Sequence, residues 1–238
     1  QMCTQEGNNV FVCAVNGNFD DAQTGVKKIF ADNSIKEDLL KQNIKLSSAN
    51  SINWGRLVPQ VVYYFSAYAD MIKDNKIKAG DKVNFVVPTG NFGDILAGYY
   101  AKKMGLPVNK LICASNKNKV LTEFFETGVY NANREFFKTQ SPSMDILISS
   151  NLERLLYDLS GKDDTFVASL MEQLKQKGEY KITDEMFKEL TSVFAAGYAD
   201  EEKTASAIKQ TWQENNYCID THTAVGVAVY EDYKNKLS

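Results

Sequence analysis

Pro88-Thr89-Gly90-Asn91-Phe92-Gly93-Asp94 stands between a β-branched run and a helix-like run. Glycines at 90 and 93 let main-chain N–H groups come close to an anion, and a helix opening at Asp94 adds the positive end of its dipole. Thr89 and Asn91 bring side-chain donors to the same turn. A phosphate is the natural guest. The turn matches neither common phosphate motif: no Gly-Lys-Ser/Thr follows, and glycines at 90, 93 and 98 do not space as Gly-x-Gly-x-x-Gly. A plain βα turn, with glycine for tightness and Asp94 at the helix start, stands beside this reading. An acid next to a bound phosphate is unfavourable unless it points away.

Other reactive side chains are sparse. His222 is the only histidine, which excludes a site with two and leaves one candidate base for a serine or cysteine nucleophile. Cys3, Cys13, Cys113 and Cys218 form no C-x-x-C pair, so they read as reduced thiols of a cytoplasmic protein and not as zinc ligands. Arg56 by itself reads as a solvated helix arginine. The tyrosines at 63, 64 and 68 read as core packing on a helix.

The elements that must position the turn follow from periodicity. Val10–Val15 is a continuous apolar run, expected as a buried parallel strand, and a helix follows from Asp20 to about Phe30. Asn50–Trp54 is expected as a short strand and polar loop. A long helix then runs from about Arg56 to Lys73, with Pro59 in its first turn and Val62, Phe65, Ala69 and Ile72 at helical spacing. Val83–Val87 and Lys110–Ala114 read as strands on either side of a helix from Asp94 to Met104, stopped by Gly105 and Pro107. Strands alternating with helices predict an α/β layer structure with a parallel sheet. Beyond Val120 the pattern is helical: a capping box at Ser150–Glu153 opens a helix to Leu159, and others cover 165–177, 184–194, 200–214 and 221–233.

The 238 residues, 44% hydrophobic and 24% charged, suffice for a sizeable core in one or two domains. A net charge of −3 sets up no basic field for nucleic acid, and the apolar runs fall far short of a membrane span of ~20 residues. Gln1–Glu6 has neither the basic flank nor the apolar region of a signal peptide.

Several stretches, in order, resemble the threonine synthase family, pyridoxal-phosphate (PLP) enzymes of the tryptophan synthase β-type fold. Pro88–Asp94 looks like its cofactor-phosphate loop. Gly17–Gln23 resembles G-T-F-D-D-x-Q, and Asn50–Arg56 resembles N-S-I-N-W-x-R. Ser141–Ile146 and Ser149–Arg154 also fit. Asp220–Gly226 resembles D-P-H-T-A-V-G, with Thr221 in place of proline. The resemblance implies conversion of O-phospho-L-homoserine and water to L-threonine and phosphate, with PLP as electron sink. It implies that Thr89, Gly90, Asn91, Phe92 and Gly93 cradle the PLP phosphate. It also makes Asn50 and Arg56, with Ser51 and Asn53 near, the candidates to grip the substrate phosphate, a task the planar guanidinium suits. Ser143 and Asp145 are candidate neighbours of such a site, with capping or turn roles equally open, whereas His222 reads first as a hydrogen-bonded residue at a helix start, with a place beside the site as the alternative.

The family's Schiff-base lysine stands in an F-K-D context upstream of these motifs, and no F-K-D occurs here; Phe187-Lys188 is followed by Glu189. The expectation is therefore a carboxyl-side portion of the fold, an incomplete type II PLP-enzyme sheet with a helical insertion. Residues 1–53 belong to the smaller cofactor-side domain, 54–119 and 216–238 to the large PLP domain, and 120–215 to a mostly helical subdomain. Such a portion is expected to be inactive alone, with no catalytic residue and no metal site of its own, and to risk self-association through exposed strand edges. Two rival readings are a nucleotide- or phosphosugar-binding α/β protein and a non-catalytic assembly protein.

Overall fold

The computed structural model describes residues 7–17, 19–47, 51 and 53–237. They fall into two compact units, one within 1–48 and one within 49–238. Ser51 is tied into the second unit by Asn151 and Arg154.

The first unit holds helices α1 (Phe19–Ala31) and α2 (Asn33–Lys41). Asp32 caps α2, accepting the N–H groups of Ser34 and Ile35 at 2.8 and 3.2 Å. The expected buried strand at Val10–Val15 does not form. Val10 bridges only to Gly7, and Phe11 is 88% exposed. A strand needs a neighbour for its main-chain groups, and this run has none among the described residues.

The second unit is built on three parallel strands in the order β1 (Val83–Pro88), β2 (Val108–Ser115) and β5 (Phe194–Tyr198). Side chains alternate across it. Val87, Leu111 and Cys113 join a core with α4 (Val61–Lys73), α5 (Gly93–Lys103), α6 (Val120–Thr127), α7 (Leu152–Leu159), α8 (Asp164–Lys177) and α9 (Asp184–Val193). Ile112 and Ala114 point the other way, onto Val225 and Val229 of α11 (Thr221–Leu237), which in turn packs on α10 (Glu201–Asn215). A small antiparallel pair, β3 (Val129–Asn131) and β4 (Glu179–Lys181), stacks Tyr130 on Tyr180 at 5.2 Å.

Strands β3, β4 and β5 lie outside the expected pattern. Phe194 is expected as the end of a helix and 195–199 carry no expected element, yet residues 194–198 form the third strand of the main sheet. The long helix expected from Arg56 is three pieces: α3 (Trp54–Leu57), a 3-10 turn at Val58–Gln60 and α4. Pro59, which lacks an N–H, sits in the tight turn. Trp54 opens α3, so the short strand expected at 50–54 does not reach it. The buried face of α4 is Val61, Tyr64 and Tyr68, not Val62, Phe65 and Ala69. Tyr64 decides that rotation. Its ring meets Phe85 edge-on at 4.9 Å and lies where a side chain on Gly98 would otherwise stand, 2.6 Å from a Cβ built there. No described helix is long and apolar enough to cross a membrane.

Candidate functional site

The turn from Pro88 to Gly93 leaves the carboxyl end of β1 and opens α5. Pro88 is in register with Ala114, and Ala114 with Gly197, so three strand ends meet at this edge. Thr89 anchors the turn to the sheet: its N–H donates to Ala114 C=O at 2.8 Å, and its buried hydroxyl donates to Val87 C=O at 2.6 Å. Gly93 N–H donates to Asn91 Oδ1 at 2.9 Å. Thr89 and Gly93 thus shape the turn and do not offer their donors. The N–H groups of Gly90, Asn91 and Phe92 meet no acceptor among the described residues. Phe92 is left-handed, φ 66° and ψ 9°, a strained conformation for a bulky residue. A left-handed residue in such a run gathers successive N–H groups on one side, as in anion nests. Its ring is buried beside Phe125 and Phe194, which holds the strained main chain in place.

Residues 149–154, together with Ser51, brace the turn. Asn151, fully buried, donates both its N–H and Nδ2 to Asn91 C=O at 3.0 Å, and Nδ2 also donates to Ser51 Oγ at 2.8 Å. Arg154 Nη1 donates to Asn151 Oδ1 at 2.6 Å and to Ser51 C=O at 2.7 Å. Ser149 Oγ donates to Gly90 C=O at 2.8 Å. The two glycines are explained by contact. A Cβ on Gly90 would lie 2.7 Å from Ser143 O, and one on Gly93 would lie 2.5 Å from Ser51 Oγ.

The other expected residues are placed as follows. Asn50 lies outside the described residues. Ser51 is buried under Gly93, its hydroxyl engaged by Asn151. Asn53 caps α3, accepting Gly55 N–H at 3.0 Å. Arg56 is exposed, and its guanidinium makes no bond among the described residues. Asp94 points away from the turn, toward Tyr64, whose hydroxyl donates to its C=O at 2.8 Å and its carboxylate at 3.2 Å. Burial lifts the Asp94 carboxyl above its ordinary range, against the pull of that hydrogen bond. Asp145 is a knot in the 137–145 loop: its carboxylate accepts from Asn116, Asn118 and both the N–H and hydroxyl of Thr139. Asn151 and Arg154 lie inside a stretch that the sequence marks only as a motif. Short side-chain reach across about a hundred residues of sequence has no local signature.

Among the described residues no nucleophile pairs with His222. Its Nε2 accepts from Ser143 N–H at 3.2 Å, and Nδ1 faces Asp220 Oδ1 at 3.3 Å. Cys113 is buried in the sheet, and burial pushes its thiol up to about 12, so it is inert at neutral pH. The Ser150 capping box does not form; the residue before α7 is Asn151, whose side chain is spent on the turn.

Asp220 starts α11. Its carboxylate accepts from the Thr223 hydroxyl and from the N–H groups of Thr223 and His222, which together hold it at about 2, below the ordinary carboxylate range. A carboxylate lowered on folding stabilises the fold above its unfolded pKa, and that stabilisation is lost as pH falls toward the folded value. Asp220→Ala is therefore expected to cost about 1 kcal/mol at neutral pH, the scale of a lost helix cap. The difference should shrink from about pH 4 down toward 2, read from urea midpoints of variant and wild type across that range. A pH-independent difference would contradict the assignment.

A parallel sheet covered by helices on both faces, with an open glycine turn at a strand's carboxyl end, defines an α/β protein of the class that takes ligands at that edge. The structure of PLP-bound threonine synthase from Brucella melitensis superimposes with a TM-score of 0.81 and 44% identity, covering 92% of this chain and 45% of that one. In sequence, threonine synthase of Pseudomonas aeruginosa is 40% identical over 100% of this chain and 48% of its own length. Threonine synthase-like 1 of Macaca fascicularis is 42% identical over 99% of this chain and 32% of its own. No protein-family profile matches. In sequence and in its α/β fold the chain is similar to the threonine synthases, and it spans about a third to a half of the length of the relatives it matches.

Proposed function

We propose that this chain carries the phosphate-gripping part of a PLP-dependent threonine synthase acting on O-phospho-L-homoserine. The observation that carries the reading is the row of open N–H groups at Gly90, Asn91 and Phe92, braced from behind by Asn151 and Ser149. These amides would hold the cofactor phosphate, with Thr89 and Gly93 fixing the turn's shape. Asp94 turns toward Tyr64, so the acid that weighed against a phosphate is directed elsewhere. The α5 N-terminus adds favourable potential for a dianion.

When bound, the cofactor supplies an electron sink for the substrate carbons. This chain's own residues bind and orient. Arg56, exposed and unbonded at its guanidinium among the described residues, is the candidate for the substrate phosphate, with Asn50 six positions before it and Asn53 holding α3 in place. Ser51 acts from beneath Gly93. Proton transfer at the substrate needs a lysine, and none here stands in an F-K-D context; Lys188 is exposed on α9. The 238 residues by themselves are thus expected to form no threonine. The cytoplasm is the proposed compartment, and self-association through the edges of β1 and β5 is proposed for the chain in isolation.

The test is a nitrogen-15 titration of the chain. Pyridoxal phosphate and inorganic phosphate should both shift the amides of residues 90–92, whereas pyridoxal, which lacks the phosphate, should not. Shifts centred elsewhere, or a nucleotide binding more tightly than either, would sink the reading in favour of a nucleotide-binding protein. Arg56→Ala should leave those shifts intact and instead weaken binding of O-phosphohomoserine, by about tenfold for a lost charge-assisted phosphate contact.

A further inference from the structure

Asp220, His222, Ser143 and Gly90 form a line of contacts running from the start of α11 to the floor of the turn. Asp220 Oδ1 lies 3.3 Å from His222 Nδ1. A carboxylate there favours the proton on Nδ1 and leaves Nε2 as an acceptor. That nitrogen receives Ser143 N–H at 3.2 Å. The same peptide strand turns its next carbonyl on Gly90: Ser143 O stands 2.7 Å from where a Gly90 Cβ would be, and Met144 Cα 3.3 Å. Ser143 and Met144 lie in a single 3-10 turn, Pro142–Met144, so a shift at Ser143 N–H moves the carbonyl that abuts Gly90. The turn is held from one side by Asn151 and Ser149. The 3-10 segment abuts it at Gly90.

We propose that His222 is a positioning residue for the phosphate cradle. As a neutral Nδ1–H imidazole it anchors Ser143, and through the Ser143 carbonyl it fixes the height of the Gly90 and Asn91 amides. This deepens the phosphate reading and rests on it for its ligand, but the geometry itself is testable without ligand. No proton is transferred. The imidazole acts only as an oriented acceptor, so a neutral acceptor of similar reach should replace it.

The experiment uses the 238-residue chain as wild type, His222→Ala and His222→Gln. Long-range proton–nitrogen spectra of the wild type should show the proton on Nδ1. A proton on Nε2 at neutral pH would overturn the proposal without any variant. In ligand-free spectra His222→Ala should move the amides of Ser143, Gly90 and Asn91 together, and His222→Gln should return all three toward wild type. Inorganic phosphate should bind the alanine variant about fivefold more weakly, the scale of one lost hydrogen bond, and the glutamine variant nearly as well as wild type. If Ser143 shifts while Gly90 and Asn91 do not, the line ends at Ser143 and the proposal fails. If the wild type binds no phosphate, the phosphate reading fails, while the ligand-free shifts still decide the role of His222.

Discussion

Gly90→Ala should lower affinity for pyridoxal phosphate at least about tenfold and destabilise the second unit by about 2 kcal/mol, the scale of an overpacked site. The new methyl would sit 2.7 Å from the carbonyl oxygen of Ser143 and 3.3 Å from Met144 Cα. Both are main-chain atoms, which cannot swing aside as a side-chain tip can. Relief has to come from the turn, and its movement disturbs the three open amides. Ser149 Oγ, bonded to Gly90 C=O, resists that movement, so contact and hydrogen bond cannot both be kept. Gly105→Ala is the matched control. Gly105 has φ +104° and open space around it, so alanine there is strained without touching anything. It should cost about 1 kcal/mol and leave phosphate affinity unchanged. Urea unfolding and a pyridoxal phosphate titration of the two variants separate the effects. Equal loss of affinity in both would mean that the Gly90 contact has no special bearing on the cradle.

The second large effect is expected at Asn151. Alanine there deletes the Nδ2 bonds to Asn91 C=O and Ser51 Oγ and strips Arg154 Nη1 of one acceptor. The site is fully buried, so the groups left behind cannot turn to water. With two neutral bonds and one charge-assisted bond lost, destabilisation of about 3 kcal/mol is expected. The main-chain N–H of residue 151 still reaches Asn91 C=O at 3.0 Å, so the turn should loosen without unfolding. The signature is a lower urea midpoint together with faster amide exchange confined to residues 89–93 and 51. Arg154→Lys should show a smaller version, since the shorter lysine side chain does not carry its nitrogen as far as Nη1, which serves both oxygen acceptors. A variant as stable as wild type, with an unchanged exchange pattern at the turn, would remove Asn151 from the account.

Much of this architecture is legible in the residue order alone. The alternation around Val83–Ala114 specifies two parallel strands and the helix between them, because β-branched runs and a Gly-then-Pro helix stop are local signals. The turn after β1 is legible for the same reason: glycine, asparagine and threonine at the end of a strand are local signals. Residues 194–198 are not legible in this way. Phe-Ala-Ala-Gly-Tyr has weak strand propensity and follows a helix directly, and it becomes β5 only because the edge of β2 is there to pair with it. The run Val10–Val15 is the converse case, strong propensity without a neighbour.

By itself the sequence determined the parallel α/β class and the position of the glycine turn, since these depend on residue types within a few positions of one another. Only the tertiary structure decided which donors of the turn stay open, which stripe of α4 faces the sheet, and that Asn151, Arg154 and His222 meet residues roughly 60 to 105 positions away. Those outcomes turn on ångström distances between segments joined only by packing, and nothing local in the chain encodes them.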